Sequence, residues 1–418
     1  MEKPFTVSSS DAPDYPRKIS AEEQKIVDYI EAHIEGAIAL LEKSVNIESP
    51  TENLKGVKQV GMVFRQEFDS LGFNTKWMEM PAEMRRAGHL IAEKNGTKGK
   101  RILLLGHLDT VLKGERFQRE GDKAYGTGVY DMKAGVVVMS YALKALHAAG
   151  LFKDASIIAM LTGDEENAGN PKETSRADLI AAAKCSDVAL GFEFGRNNFA
   201  IAARRGSCKW QLEVSAKSGH SSLIFNENMG SGAIFEAARI INQFYETLHS
   251  EKYLTFNPSL FAGGTEIEIK DESVFAEGKA NVVSAKAIVR GDLRFISEVQ
   301  KEAASAKMLE IVGKNLPGTS AKITFSDGIP AMPPTDGNYA LLKQLDEVSQ
   351  NLGFGKIEAF DPGERGAGDI SFVAHLIPGI DALGAAGGNA HVLGEYADLA
   401  ALPNQIKRAA LLIYRLIQ

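Results

Sequence analysis

Cysteine is scarce: the 418 residues include two, Cys185 and Cys208. Two thiols cannot build a disulfide framework, so the fold must rest on a buried core, and both are expected to be free. Long apolar runs are missing as well. Nothing approaches the roughly 20 consecutive apolar residues that span a bilayer, and the opening MEKPFTVSSSDAPDYPRKIS lacks the apolar stretch of a signal peptide. As written the chain reads as soluble and cytoplasmic; it reads as periplasmic or secreted if an export signal has been removed. The third absence is basic charge. The formal net charge is −7 and no Lys/Arg run interrupts the acidic excess, which excludes a nucleic-acid partner.

What remains is an ordinary globular composition, 44% hydrophobic and 24% charged, in a chain long enough for two domains. Residues 1–20, rich in Ser, Pro and Asp, read as an N-terminal arm. From Ala21 to Val45, Ile26, Ile30, Ile34, Ile38, Leu41 and Val45 recur at helical spacing, and a second helix is predicted from about Val57 to Leu71. Apolar runs such as KRILLLGHLDTV, ASIIAMLTGD and DVALGFEFG alternate with helical stretches. That alternation predicts an α/β domain with a helix-covered, mostly parallel sheet. Between residues 206 and 326 the pattern changes: WQLEVSA, a long helix, TEIEIK, KAIVRGDLRFI, a helix and AKITFSD form a βαββαβ unit. It reads as an insertion, leaving 21–205 and 327–418 as the host domain.

In parallel sheets ligands gather at the carboxyl ends of strands, and His107, Glu165, Glu166 and Glu193 fall there. GHLDT sets Asp109 two residues after His107, where a carboxylate can hold the second ring nitrogen of a metal-bound imidazole. Asp131 follows a glycine-punctuated loop, GDKAYGTGVYDMKAG; taken alone it is a good helix N-cap. TGDEE closes a strand with three adjacent carboxylates, which repel one another unless water or a cation meets them. Glu193 lies between two phenylalanines in GFEFG, a costly place for an unpaired charge. His391 stands in the late loop GGNAHVLGEY. Each has a bland structural explanation, but two histidines and several carboxylates at strand ends and loops together fit a zinc site. With one bridging carboxylate they fit two zinc ions about 3.5–4 Å apart.

The order of GHLDT, GDKAYGTGVYDMKAG, TGDEE, GFEFG and the late histidine resembles the zinc-dependent M20 peptidase family, nearest its glutamate carboxypeptidase branch, over nearly the whole chain from residue 21. The resemblance implies a zinc-exopeptidase-type catalytic domain with an inserted lid and dimerisation domain. It implies that His107 and Glu193 hold one zinc, Glu166 and His391 the other, and that Asp131 bridges them through a segment with a cis peptide to Met132. Glu165 becomes the general base, Asp109 the residue that orients His107, and Asp164 the peripheral member of the triplet. In the inserted domain AKSGHSS matches a loop whose histidine, here His220, reaches the partner subunit's active site in a homodimer. Asn281 matches a substrate-binding asparagine.

One departure bears on specificity. Where the branch carries an arginine for the substrate carboxylate, this chain has Ile329. Arg365 in GERGAGDISF is the candidate replacement, with Arg204 and Arg205 as weaker ones, because a guanidinium fork suits a carboxylate. The implied activity is carboxypeptidase-like hydrolysis of a peptide or N-acyl amide bond next to a free-carboxylate amino acid, through a zinc-activated water. An aminoacylase or deacylase of the same family is the alternative. A non-catalytic binding protein would have lost the base or a ligand, and all six positions are intact.

Overall fold

The computed structural model describes residues 18–270 and 273–418, so the predicted N-terminal arm lies outside it except for its last three residues. The chain divides into two compact units. The first runs to Ala203 and includes Pro334–Asp361 and Gly368–Gln418; the second comprises Arg204–Pro333 and Pro362–Ala367. The second unit thus extends past 206–326 at both ends and takes in the segment that carries Arg365.

In the first unit a six-stranded mixed sheet runs in the order Asn74–Met78, His89–Lys94, Ala155–Thr162, Lys98–His107, Val188–Gly191, Gly379–Ile380. The first two pairings are antiparallel and the last three parallel. The parallel strands are apolar throughout their inner length, with Ile102, Leu103, Leu104, Ile157, Ala159 and Leu190 fully buried, because covered sheets leave neither face for water. The helix Ala134–Ala148 packs against the strand Lys98–His107 and the helix Leu402–Leu416. Its approach is close: a Cβ on Gly135 would lie 2.0 Å from the Phe192 carbonyl oxygen.

The predicted helix 21–45 is two, Ala21–Ala32 and Ile34–Val45. Ser20 and Glu23 form a capping box at the start, satisfying the first free N–H groups. The break has a local cause. His33 Nδ1 lies 2.7 Å from the Tyr29 carbonyl oxygen, the acceptor a continuous helix would give to the His33 N–H. That N–H turns to Ile30 instead.

The second unit is a four-stranded antiparallel sheet, in the order Thr255–Gly264, Lys286–Phe295, Gly206–Ala216, Thr319–Asp327. The helices Ala233–Leu248 and Glu298–Val312 pack on it. The predicted strand TEIEIK is not part of that sheet; Glu266–Lys270 pairs with Ser273–Glu277 in a separate ribbon. The member in its place is Thr255–Gly264, masked in the sequence by Pro258. A proline is tolerated there because the strand is at an edge, and the pairing slips between Pro258 and Leu260. Cys185 and Cys208 are both free, and among the described residues no helix is long and apolar enough to cross a membrane.

Candidate metal centre

The centre lies wholly within the first unit, at the carboxyl ends of three adjacent parallel strands. His107 is the last residue of Lys98–His107. Glu165 and Glu166 lie in the turn after Ala155–Thr162. Glu193 stands two residues past the end of Val188–Gly191, outside the strand on which it was expected. Asp131 comes from a tight turn, Val129–Lys133, whose Asp131–Met132 peptide is cis. Gly128 opens that turn at φ 74°, and a Cβ there would meet Thr110 Cγ2 at 2.3 Å, so only glycine suits the position.

These residues converge. His107 Nε2 is 3.1 Å from Asp131 Oδ1 and 3.6 Å from Glu193 Oε1. His391 Nε2 is 2.8 Å from Asp131 Oδ2 and 3.5 Å from Glu166 Oε2. Asp131 therefore presents one oxygen to each imidazole. Two sets of side chains bring potential ligand atoms within 4.8 Å of one another: His107, Glu165 and Glu193, and His107, Asp131 and Glu166. Proximity alone thus puts Glu165 in reach of a ligand position as well as a base position.

Asp109 is fully buried. Its main-chain oxygen is 3.0 Å from His107 Nδ1 and its carboxylate 3.4 Å away. The carboxylate also accepts from Thr51 Oγ1 at 2.7 Å and from the N–H groups of Glu165 and Glu166 at 3.1 and 3.2 Å. One aspartate therefore ties the His107 strand end to the acidic turn. Asp164 is not peripheral. It is fully buried, bonded through Oδ1 to Arg176 Nη1 at 2.6 Å and through Oδ2 to Ser175 Oγ and the Gly169 N–H at 2.6 and 2.7 Å. Arg176 in turn reaches Asp369 Oδ1 through Nε at 2.7 Å.

The electrostatics show what the cluster lacks. Burial, then the charge of Glu193, pushes the Glu165 carboxyl well above its usual range. Burial and Asp131 push Glu166 up to about 8. Burial would raise Asp131 too, but the bonds to His107 and His391 outweigh it and hold the pKa at about 2. The bond to Asp131 lifts His391 to about 9. Carboxyls that keep protons and an imidazole that stays charged mark a site short of positive charge. Glu166 Oε1 is buried without a hydrogen-bond partner, an atom a cation would satisfy. Imidazole nitrogens and carboxylate oxygens are a donor set for zinc and its neighbours, so the residues fit a metal.

Five expected residues lie in the second unit. His220 Nδ1 is 2.8 Å from Ser222 Oγ, and the Ser221 N–H donates to the Asn281 carbonyl at 2.9 Å, so the His220 loop and Asn281 adjoin. Arg365 is half-buried. Arg204 and Arg205 are engaged with the loop that carries it: Arg204 Nη1 donates to the Gly366 carbonyl at 2.8 Å and Arg205 Nη2 to that of Gly363 at 2.9 Å. Sequence reasoning missed Thr51, Arg176, Asp381, whose Oδ1 accepts the Glu193 N–H at 3.3 Å, and Glu395. Glu395 alone left a trace, as a carboxylate four residues after His391.

Known proteins share the family and the fold. The model of peptidase family M20/M25/M40 matches residues 103–415. The chain is 29% identical to carboxypeptidase G2 of Pseudomonas sp. (strain RS-16) over 388 residues, 90% of this chain and 88% of that one. It is 23% identical to succinyl-diaminopimelate desuccinylase of Bordetella petrii, over 74% of this chain and 81% of that one. Among solved structures, aminopeptidase PepT of Bacillus cereus superposes with a TM-score of 0.73 at 19% identity, covering 92% of this chain and 99% of that one. A dinuclear metal-binding peptidase of Bacillus subtilis gives 0.66 at 14% identity, over 93% and 99%.

Proposed function

The chain belongs to peptidase family M20/M25/M40 and is a metal-dependent peptidase or amidohydrolase; from that premise we propose that it holds two zinc ions and cleaves the amide bond next to a free-carboxylate amino acid. The observation that carries this reading is the Asp131 carboxylate, one oxygen on each of two imidazoles, amid three further carboxylates. His107 and Glu193 would hold one ion and His391 and Glu166 the other, with Asp131 shared. When bound, the ions supply Lewis-acid polarisation and make water a nucleophile near neutral pH.

The protein's own part is proton transfer and placement. Glu165 takes a proton from the attacking water as its oxygen bonds to the amide carbon, and returns that proton to the nitrogen as the C–N bond breaks. Asp109 keeps His107 and the Glu165–Glu166 turn in register. His220 of the partner subunit would donate to the carbonyl oxygen, Asn281 would bind substrate, and Arg365 would hold the free carboxylate in place of an arginine at Ile329.

A homodimer through the second unit is part of this reading. That unit exposes Phe225 and Phe235, ring centroids 5.5 Å apart, with Leu223 and Ile234 close to them in sequence, the kind of exposed apolar grouping that supports an interaction surface.

The test is a panel of dipeptides and N-acyl amino acids, with free and amidated carboxyl ends, hydrolysed by zinc-loaded protein. The expected result is turnover that requires the free carboxylate and loses that requirement in Arg365→Ala. Equal turnover of amidated substrates would remove the carboxypeptidase-like reading and leave the deacylase alternative. Phe235→Glu should convert the dimer to monomer in sedimentation velocity and abolish turnover with it.

A further inference from the structure

Glu395 is 4% exposed and belongs to neither proposed ligand set. Its carboxylate accepts three main-chain N–H groups: Gly128 on Oε2 at 3.0 Å, and Tyr130 and Asp131 on Oε1, both at 2.8 Å. These are the peptides of the turn that presents Asp131. Glu395 itself sits four residues after His391, on a loop in which His391 holds φ +66°. The loop is pinned further where the Gly394 N–H donates to Glu115 Oε2 at 2.9 Å and Asn389 Nδ2 to the Gly394 carbonyl at 3.1 Å. Directly after it, Tyr396 pairs with Tyr125 in a small antiparallel sheet. One carboxylate thus joins two loops more than 260 residues apart in sequence, and their side chains meet where His391 Nε2 lies 2.8 Å from Asp131 Oδ2.

We infer that Glu395 is a positioning residue that acts unequally on the two metal positions: it sets the affinity of the Asp131, Glu166 and His391 position, where it orients two of three ligands, and touches the other only through the shared Asp131, whose partners there, His107 and Glu193, are held by Asp109 and Asp381. The inference rests on the two-metal reading above. Its physical basis is that the turn's N–H groups are buried donors that need acceptors. An ionised carboxylate, with two oxygens and no proton to misplace, can serve all three. Glutamine at 395 can still accept the two N–H groups on Oε1, but its amide would face the Gly128 N–H donor to donor. Alanine leaves all three unserved.

The experiment is zinc titration of the metal-free full chain against a chromophoric chelator, resolving two binding constants for wild type, Glu395→Gln, Glu395→Ala and His391→Ala. His391→Ala identifies which constant belongs to the proposed position. In Glu395→Gln that same constant should weaken about 10–100-fold, the range found when outer-shell partners of metal ligands are changed, with the other within about threefold. Glu395→Ala should weaken it further. The metal-free melting temperature of Glu395→Gln should fall by no more than a few degrees, the scale of one unserved main-chain N–H, which a general loss of structure would not allow. Equal weakening of both constants, or of neither, in a wild type that binds two zinc ions would overturn the inference alone. A wild type that takes up a single zinc ion would overturn the two-metal reading and the inference with it.

Discussion

Asp164 and Glu166 are separated by one residue, yet they belong to clusters of opposite character. Asp164 is saturated from within: Arg176, Ser175 and the Gly169 N–H occupy its oxygens, and Arg176 passes on to Asp369, whose other oxygen accepts from Thr162 Oγ1 at 2.6 Å. Burial would raise its pKa, but the charge of Arg176 and the bonds from Ser175 and the Gly169 N–H outweigh that and hold it below the ordinary value. Glu166 has no such supply. Its Oε1 has no partner, and its neighbours are carboxylates and a shared imidazole. The polypeptide thus furnishes its own cation for one acid of the triplet and none for Glu166, which under the proposed function would take its positive charge from an ion while Glu165 serves as the base.

The comparison breaks most visibly at Glu165. Glu165→Gln should lower kcat about 10³-fold or more, as loss of a general base does, while both zinc ions stay bound and the metal-free protein melts no lower than wild type. Turnover within tenfold of wild type would return Glu165 to the role of ligand that its position near His107 and Glu193 also allows. The next largest effect belongs to the saturated cluster. Arg176→Met strands two buried carboxylates and should cost about 3 kcal/mol in urea unfolding, the scale of a broken buried ion pair. Adding Asp164→Asn and Asp369→Asn should recover part of it, because the loss comes from stranded charge. A cost under about 0.5 kcal/mol, the range of ordinary surface changes, would show that Arg176 does not neutralise that cluster.

Metal removal sharpens the contrast from the other side. A ligand that binds the folded chain at 100 times its dissociation constant stabilises it by about 2.7 kcal/mol per site. Stripping zinc should therefore lower the melting point of wild type and of Arg176→Met alike, since the arginine cluster takes no part in binding. If Arg176→Met lost its response to zinc, the two clusters would be one.

How these clusters appear in the sequence explains what could be read there. His107, Asp131, Glu165, Glu166, Glu193 and His391 are marked by position: each follows an apolar strand or a glycine-bearing loop, and the structure brings them together. Arg176 carries no such mark. It opens an unremarkable alanine-rich helix, and its second partner, Asp369, is 193 residues away, so only the fold reveals it. Glu395 is hidden for a different reason. It bonds main-chain N–H groups, which leave no residue type to pair with. The strand Thr255–Gly264 was masked by a proline that an edge can carry, and the helix break at His33 by a side chain competing for a carbonyl, a contest that periodicity does not register.

A difference of slope carries the contrast furthest, because Glu166 and Asp164 should respond to pH with opposite sign. In the metal-free protein Glu166 titrates at about 8, against 4.5 for an ordinary glutamate. Between those values the folded chain keeps a proton that the unfolded chain has released, so stability falls as pH rises across the window. Asp164, held below its ordinary 3.8, does the reverse: the unfolded chain binds the proton first, and stability falls as pH drops through and below that value. Urea unfolding in the presence of a chelator, from pH 3 to 9, should therefore show both limbs. Glu166→Gln should make the upper limb shallower, the remainder belonging to Glu165 and His391, and leave the lower one; Asp164→Asn should make the lower limb shallower, the remainder belonging to Asp131, and leave the upper. With zinc bound, the upper limb should vanish, because an ion on Glu166 replaces the proton that burial had forced it to keep. An upper limb unchanged in Glu166→Gln would mean that the crowding lies elsewhere among the carboxylates, and that Glu166 is not where the missing positive charge is felt.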